Sequence, residues 1–295
     1  MTDLKQRPMR SWLFSPGDSE RKMTKCAKSA ADIAIFDLED AVSIENKAAA
    51  RQMVHDFLSG YEGDANRIFV RINPLDGPYA LLDLAAIMPA KPGGIMLPKA
   101  QGRHDVETLD KYLEALEVAN DIERGTTPVI VLVTETAESM FRCGDFKDAP
   151  RLVAMTWGAE DLADAIGASS NRDESGGYSH TYEMARSLCL LGASSANIAP
   201  VETIEGNFRD LEGLRKRAER VRRDGFRGML AIHPAQVAVI NEAFTPGADE
   251  IAEAHEIVAL FDANPGAGAI GYKGRMLDRP HLARARHLLA TAESR

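Results

Sequence analysis

Cysteine is scarce in this sequence: Cys26, Cys143 and Cys189 are the only three among 295 residues, and none has CxxC spacing to another. Such an odd, scattered set argues against a disulfide framework and a zinc ribbon, and it is typical of proteins from a reducing compartment. We therefore expect a cytoplasmic protein whose cysteines serve as core side chains.

Long hydrophobic runs are lacking as well. No apolar run approaches the roughly 18–20 residues that cross a bilayer, so we expect no membrane partner. The amino terminus, MTDLKQRPMR, is polar and is not followed by the apolar stretch of a signal peptide. No secretory signal is therefore expected.

Aromatic residues and positive charge are also in deficit. Aromatics make up 6% of the chain, and 35 basic residues against 44 acidic ones give a net charge of −9. A phosphate backbone would be repelled, and few rings are available to stack on bases, so we expect no nucleic-acid partner. A phosphorylated coenzyme stays compatible, because basic clusters occur locally on acidic proteins.

Eight short apolar segments recur along the chain, each ending in a polar or Gly/Pro cluster. Continuous apolar character, rather than strict alternation, is typical of strands buried on both faces. The predicted strands are Ser11–Pro16, Ile33–Asp40, Ile68–Pro74, Gly94–Lys99, Val129–Glu135, Leu152–Gly158, Ala196–Glu202 and Gly228–Pro234.

Amphipathic stretches separate these segments, among them Glu20–Ala31, Glu45–Leu58, Asp105–Ile122, Thr181–Leu191 and Phe208–Arg223. Eight strand–helix alternations predict an α/β protein with a (β/α)8 TIM barrel, a fold that commonly needs about 250 residues. An open doubly wound sheet is the alternative. No GxGxxG motif follows the first strand, and this favours the barrel.

About sixty residues follow the eighth strand, more than a barrel needs. They predict a C-terminal helical extension with helices at Ala235–Phe244, Glu250–Ala263 and Pro280–Glu293 and a glycine-rich loop at Asn264–Asp278. We expect a barrel catalytic domain over residues 1–240 and an extension over 241–295 that packs outside the barrel or on a neighbouring subunit. Leu162–Ser179 is expected to be either a binding loop or a mobile surface loop.

Reactive side chains cluster at the predicted strand ends. The active sites of α/β barrels lie at the carboxyl ends of the strands, so these side chains are expected to face one another. They are Asp37, Glu39, Asp40, Arg71, Asn73, Lys99, Glu135, Glu160, Asp161 and His233. His233 precedes a proline and is expected to be a structural hydrogen-bonding group.

Glu135 and Asp161 follow neighbouring strands and are candidates for one metal site. Two carboxylates completed by waters and substrate oxygens are the usual way to hold Mg²⁺, and no Cys/His cluster competes for a softer metal. In the alternative, Glu135 pairs with Arg71 or Lys99 inside the barrel.

Arg71 interrupts an apolar strand, FVRIN. A guanidinium there needs an anion, and it grips a carboxylate with two parallel hydrogen bonds. The carboxylate belongs either to a substrate or to Asp37 or Glu39, and spacing alone leaves both interpretations open.

Several motifs together resemble one known family. They are LFSPGD, DIAIFDLEDAV, VRINP, IMLPKA, VTETAES, WGAEDLADAIG, AIHPAQV and GRMLD, in this order along nearly the whole chain. They resemble the citrate lyase β-subunit-like family of the HpcH/HpaI aldolase superfamily. The resemblance implies a (β/α)8 barrel assembled as homotrimers or hexamers. It also implies Mg²⁺-dependent (or Mn²⁺-dependent) carbon–carbon bond cleavage of β-hydroxyacyl thioesters such as malyl-CoA, citramalyl-CoA or citryl-CoA.

The resemblance also implies roles for individual residues. Glu135 and Asp161 match the metal ligands, and Arg71 with Glu135 is expected to bind the substrate. Asp278 matches an acid/base residue that a neighbouring subunit contributes, which makes Asp278 and Arg71 the expected catalytic residues. The acidic strand end supports the arginine and a metal-bound water through Asp37 and Glu39. Arg21 and Lys99 are the basic candidates for coenzyme A.

Two positions depart from the family pattern, namely Glu202, where aspartate is usual, and Asp18, where asparagine is common. Neither touches the expected metal ligands, but Glu202 bears on the pocket or the coenzyme contact. The alternative functions are a malyl-CoA thioesterase on the same scaffold, a keto-acid aldolase that needs no thioester, and a citrate lyase subunit that uses an acyl carrier. The presence of Arg71, Glu135, Asp161 and Asp278 argues against an inactive binding module.

Overall fold

The computed structural model describes residues 8–293. The polar start on which the expectation of no secretory signal rests lies largely in residues 1–7, outside the described residues. The chain forms two compact units, of which one spans Met9–Asn241 and the other begins at Glu242. None of the helices within residues 8–293 combines the length and apolarity needed to cross a bilayer.

The first unit contains a closed barrel of eight parallel strands, in which each strand pairs with the next and the eighth pairs with the first. The expected (β/α)8 barrel with a C-terminal helical extension is confirmed. The strands are β1 Ser11–Pro16, β2 Ile33–Asp37, β3 Ile68–Arg71, β4 Gly94–Leu97, β5 Val129–Val133, β6 Leu152–Trp157, β7 Ala199–Glu202 and β8 Gly228–Ala231.

Helices follow the strands and cover the barrel. They are α1 Glu20–Ala27, α2 Lys47–Ser59, α3 Ala80–Ile87, α4 Arg103–Ala119, α5 Ala159–Ala165, α6 His180–Ser195, α7 Leu211–Asp224 and α8 Pro234–Ala243. Helix α7 shows how the sequence sets such a helix. The Asp210 carboxylate accepts the Gly213 N–H at 2.8 Å, and Gly225 ends the helix at a φ of 118°.

The barrel core follows from the apolar strand sequences. Every residue of β2, β4 and β5 is buried, as expected for strands covered on both faces. At Gly94, a Cβ would lie 2.1 Å from the Phe69 ring, so the absence of a side chain there is what lets the ring fill the interior.

The second unit has its own small core. Helix α9 (Ala248–Asp262), a hairpin of β9 (Ala269–Tyr272) and β10 (Arg275–Asp278), and helix α10 (Arg279–Glu293) bury Phe261, Leu277 and Leu282 together. The expectation of a loop throughout Asn264–Asp278 was wrong from Ala269 onwards, where the chain forms this hairpin. Lys273 and Gly274 both have positive φ, 46° and 76°, which is the backbone of a tight two-residue hairpin turn.

Candidate active site

Six of the expected site residues meet at the carboxyl end of the barrel, across β2 to β6. Asp37 and Arg71 are the last residues of their strands and are direct register partners. The others follow the strands by a few residues, on the turns that leave the barrel or on the short helix α5. They are Glu39, Lys99, Glu135 and Asp161.

Arg71 is held by acidic side chains of the barrel. Its Nε and Nη2 donate to the two oxygens of Asp37 at 2.7 and 2.6 Å, and its Nη1 lies 3.0 Å from Glu39 Oε2. The Phe14 ring lies 4.9 Å from the guanidinium carbon. Arg71 therefore forms the ion pair with Asp37 that the spacing of the sequence allowed. The Nη1 edge of its guanidinium remains for the contact with Glu39.

Asp37 stays ionised because Arg71 outweighs burial. Burial would raise the pKa of Asp37, but the charge and hydrogen bonds of Arg71 hold it below its ordinary value. The backbone N–H groups of Glu39 and Ala41 also donate to the Asp37 carboxylate, at 2.9 and 3.0 Å. The turn after β2 thus fixes both oxygens of this carboxylate before any ligand arrives.

Lys99 has a backbone that few non-glycine residues adopt, with a φ of 52°. This conformation aims its N–H at Glu135 Oε2, 2.5 Å away, while its Nζ lies 2.8 Å from Glu39 Oε1 and 3.1 Å from Asp161 Oδ1. One residue therefore contacts three carboxylates. Strain of this kind is retained where the surroundings enforce it, and often where it serves function.

Glu135 is a buried carboxylate in an acidic environment. Burial, and then the charges of Asp161 and Glu39, raise its pKa well above its ordinary value. Gly158 makes room for it, since a Cβ there would lie 2.9 Å from Glu135 Cγ. A buried carboxylate of this kind is stabilised by a cation or by a proton.

The donor set fits a hard divalent cation. The carboxylate cluster of the site faces the two cations Arg71 and Lys99. It consists of five carboxylates, those of Asp37, Glu39, Asp40, Glu135 and Asp161. Glu39 Oε2, although it lies 3.0 Å from Arg71 Nη1, accepts no hydrogen bond from the described residues. Within residues 8–293 no group of three or more Asp, Glu, His or Cys is placed to enclose a metal. The residues therefore fit Mg²⁺ held by two carboxylates, with its other positions left to water and substrate oxygens.

Asp278 belongs to the second unit, at the end of β10. Its side chain is 45% exposed, and its Oδ1 lies 2.5 Å from His281 Nδ1. The hydrogen bond with His281 lowers the pKa of Asp278 from its ordinary value. Asp278 thus lies on an element of the second unit and not on a strand or turn of the barrel.

The basic residues expected to bind coenzyme A have different surroundings. Arg21 is exposed on α1, whereas Lys99 is directed at the carboxylates of the site. His233 stacks on Phe208 with ring centroids 4.7 Å apart, and its Nδ1 accepts the Ala235 N–H at 3.2 Å. These contacts are those of a structural histidine.

Glu202, the departure from the family pattern, is fully buried between β7 and the helices outside the barrel. It accepts hydrogen bonds from Trp157 Nε1 at 2.8 Å, Arg186 Nε at 2.8 Å and Arg217 Nη2 at 3.1 Å. All its side-chain partners belong to β6, α6 and α7. Its contacts therefore join helices to the barrel and do not touch the carboxylate cluster.

Two features of the site escaped the sequence reasoning. The Phe14 ring over Arg71 lies in the LFSPGD motif, and Gly158, which clears space for Glu135, lies in WGAED. The predictions made from these two motifs rest on their charged residues, Asp18 and Asp161. A glycine directly after a buried strand and before two acidic residues is the signal that could have indicated a close approach.

Comparison with known proteins places this chain among enzymes. The (3S)-malyl-CoA thioesterase of Cereibacter sphaeroides is 33% identical over 289 residues, covering 97% of this chain and 95% of the relative. The L-malyl-CoA/β-methylmalyl-CoA lyase of the same species is 34% identical over 308 residues, with the same two coverages.

A solved structure is similar over nearly the whole chain. It is the crystal structure of CitE from Mycobacterium tuberculosis in complex with magnesium, acetoacetate and coenzyme A, with 32% identity and a TM-score of 0.83. It covers 98% of this chain and 99% of that chain. The model of the HpcH/HpaI aldolase/citrate lyase family matches residues 10–234, which span all eight barrel strands and the carboxylate cluster at their ends. This chain therefore belongs to the HpcH/HpaI aldolase/citrate lyase family.

Proposed function

We propose that this protein is a Mg²⁺-dependent carbon–carbon lyase that acts on a β-hydroxyacyl-CoA thioester. The substrate is of the malyl-CoA, citramalyl-CoA or citryl-CoA type, and the products are an acyl thioester and an α-keto acid. The observation that carries the proposal is the group of Glu39, Glu135 and Asp161 beside Arg71, which combines an excess of carboxylate oxygens with one guanidinium.

Arg71 binds the carboxylate end of the substrate. Its Nε and Nη2 are engaged by Asp37, so the substrate carboxylate meets the Nη1 edge that faces Glu39. Because Asp37 already holds the Arg71 guanidinium in place, less side-chain entropy is lost when substrate binds. A group positioned in this way lowers the activation free energy.

Glu135 and Asp161 hold the metal, and Glu39 orients water or substrate oxygen beside it. When bound, Mg²⁺ (or Mn²⁺) stabilises negative charge on the oxygens of the keto acid being formed. The negative charges of Asp161 and Glu39, which together with burial raise the pKa of Glu135, also attract a cation to this site.

Asp278 supplies the acid/base group: its carboxylate takes the proton of the substrate's β-hydroxyl as the carbon–carbon bond breaks, and it then passes this proton to the enolate carbon of the departing acyl thioester. We propose that it does so from a neighbouring subunit in a homotrimer or hexamer, with residues 1–240 as the catalytic barrel and 241–295 as the extension. The depressed pKa of Asp278 keeps this carboxylate ionised as a base before turnover.

Coenzyme A binds near α1, where exposed Arg21 can meet its phosphates. The contacts of Lys99 with Glu39 and Asp161 favour a role inside the carboxylate cluster instead. A cytoplasmic location fits the scarcity of cysteine and a coenzyme A substrate.

Thioester hydrolysis is the second candidate function. It is supported by the relative named (3S)-malyl-CoA thioesterase, which is as similar as the lyase over the same share of the chain. The two activities differ in the bond that breaks, so their products separate them.

The deciding experiment incubates the purified protein with (3S)-malyl-CoA, citramalyl-CoA, β-methylmalyl-CoA and citryl-CoA, with Mg²⁺ or with EDTA. Free thiol and keto acid are both measured. A lyase gives keto acid without thiol, and this is the expected result. Thiol without keto acid identifies a thioesterase, and turnover that is equal in EDTA contradicts the metal-dependent proposal.

Replacing a proposed metal ligand is expected to abolish this turnover without unfolding the barrel. Glu135→Gln or Asp161→Asn removes one of the two charges that hold the cation, so calorimetry should detect no Mg²⁺ binding. Glu138→Gln is the matched control, because Glu138 is 60% exposed and pairs with Arg142. Full activity of either ligand variant would exclude these two residues as the metal ligands.

A further inference from the structure

The ammonium group of Lys99 occupies a cation position between two carboxylates. Its Nζ lies 2.8 Å from Glu39 Oε1, 3.1 Å from Asp161 Oδ1 and 3.9 Å from Asp40 Oδ1. Among the described residues, Lys99 is the one basic side chain within ion-pair distance of Asp161. One of the two proposed metal ligands is therefore already paired to a cation of the protein itself.

The backbone explains why the lysine reaches this position. Its left-handed φ of 52° is held by the hydrogen bond from its N–H to Glu135 Oε2 at 2.5 Å. The side chain then extends across the end of the barrel and stays 31% exposed. The backbone N–H of Lys99 thus contacts one proposed metal ligand, Glu135, and its ammonium contacts the other, Asp161.

The ammonium of Lys99 is held differently from the guanidinium of Arg71. Lysine has a flexible four-carbon stem and a strongly hydrated ammonium, so it exchanges partners at lower cost than a rigid, bidentate guanidinium. Arg71 makes two parallel bonds to buried Asp37, whereas Lys99 makes single contacts at a partly exposed rim. A divalent cation that enters the site therefore displaces Lys99 rather than Arg71.

We propose that Lys99 is a displaceable internal cation: it holds Glu39 and Asp161 together in the metal-free enzyme and leaves Asp161 when the divalent metal binds. Lys99 in this way sets the affinity of the site for metal. It is a positioning residue, because it acts through Asp161 and Glu39. The inference rests on the metal site of the proposed function and adds the competing group.

The direction of the effect follows from charge. Mg²⁺ must either break the ion pair of Asp161 with Lys99 or bind beside a positive charge, and both weaken metal binding. Removing the ammonium leaves the carboxylates without this counter-ion, so the metal-free protein becomes less stable while the metal-bound protein changes little. The same substitution therefore lowers stability without metal and strengthens metal binding.

The test titrates MgCl₂ into EDTA-stripped, full-length wild type and Lys99→Met by isothermal calorimetry at one fixed pH. We expect the Kd for Mg²⁺ to fall by about tenfold or more in the variant, as the loss of one nearby positive charge implies. We also expect a lower Tm than wild type without metal and a larger rise in Tm with Mg²⁺.

Two further variants make the result specific to the charge. Lys99→Arg keeps the positive charge and holds the carboxylates at least as firmly, so its Kd should not fall below that of wild type. Lys99→Gln, which also replaces Lys99→Met if the latter does not fold, should lower the Kd. Lys91→Met is the matched control, since Lys91 has a similar φ of 53° but donates to the Asp121 backbone carbonyl at 3.4 Å and is not one of the residues of the site. It should change neither Kd nor the response of Tm to metal.

The outcomes separate this inference from the proposed function. If wild type binds Mg²⁺ and Lys99→Met binds it with equal or lower affinity, the displaceable cation is overturned while the metal site stands. If wild type itself binds no Mg²⁺, the metal site of the proposed function fails. If Lys99→Met raises only the KM for the thioester, Lys99 contacts substrate and the inference is wrong.

Discussion

Arg71 shows how one side chain serves both packing and chemistry at the scale of a residue. A buried guanidinium is costly unless its hydrogen bonds are met, and Asp37 meets two of them in parallel. The pair is stable because β2 and β3 place the two residues in register. In the proposed function, the substrate clamp is consequently built before substrate arrives.

Arg71→Lys is expected to lower kcat/KM by about a hundredfold or more, because an ammonium cannot bond both oxygens of Asp37 and still present an edge to the substrate. Steady-state kinetics with the accepted thioester measures this loss. Lysine keeps the positive charge, so any loss of kcat/KM reports the loss of the paired hydrogen bonds of arginine and not the loss of charge.

Arg10→Lys is the control for that substitution. Arg10 also bonds both oxygens of an aspartate, Asp32, at 2.9 Å each, but beside the amino ends of β1 and β2. It should lower stability by a similar amount and leave kcat/KM unchanged. Equal losses of activity in the two variants would mean that Arg71 acts only through stability.

Sequence reasoning reached the residues of this site but not the directions of their side chains. Glu135, Asp161 and Arg71 follow from strand-end position and motif. The aim of Lys99 depends on a left-handed backbone, which a lysine in LPKA does not reveal. The pairing of Glu202 with Arg186 and Arg217 depends on how α6 and α7 pack, and no local pattern reports that.

At the scale of elements, the strands were located well and their ends less well. Seven of the eight strands begin at the predicted residue, where the apolar segment begins. Most strands end two or three residues before the predicted end. The reason is physical: the residues that follow β4 and β5 turn away from the ladder, with positive φ at Lys99 and Thr134. The hydrophobicity of these residues does not indicate that the backbone turns away from the sheet.

Short elements were the ones that sequence patterns missed. Helices α3 and α5 have eight and seven residues, too few turns for a clear periodicity. The hairpin of the second unit was hidden by glycines, which are typical of loops. Asp161 therefore lies on helix α5, whose last four residues, from Leu162, were predicted to begin a loop.

Glu117 ties helix α4 to the amino-terminal end of the barrel. It accepts from Arg151 Nη1 and Nη2 at 2.5 and 2.9 Å and from the N–H groups of Gly125 and Thr127. Burial alone would raise its pKa, but these bonds lower the pKa of Glu117 to about 2. The stabilisation is therefore present above its ordinary pKa and is lost as pH falls towards about 2.

Glu117→Gln is expected to lower the free energy of unfolding by roughly 3 kcal/mol at neutral pH, since it leaves Arg151 buried without its main partner. Urea unfolding of wild type and variant at neutral pH and towards about pH 3 measures the difference, which should shrink in acid. Glu107→Gln on the exposed face of α4 should change stability by at most about 1 kcal/mol. A difference that stays constant with pH would contradict the ionised pair.

At the scale of the whole molecule, the proposed chemistry divides between two compact units. The barrel carries the carboxylates and Arg71, while Asp278 lies on the hairpin of the second unit. Cleavage moves a proton from the substrate's β-hydroxyl to the enolate carbon, and in the proposed function Asp278 of the neighbouring subunit carries it. The activity then depends on assembly as well as on folding.

Mixing two inactive variants tests this division. Asp278→Ala keeps the barrel site, and Glu135→Gln keeps Asp278, so each variant alone should be inactive while Asp278→Ala still binds Mg²⁺. If one subunit completes the site of the next, co-expressed chains that mix at random should restore turnover at about a quarter of the sites. Separately purified proteins that cannot exchange subunits provide the control. If Asp278 acts on the barrel of its own chain, no mixed assembly contains an intact site, and co-expression restores nothing.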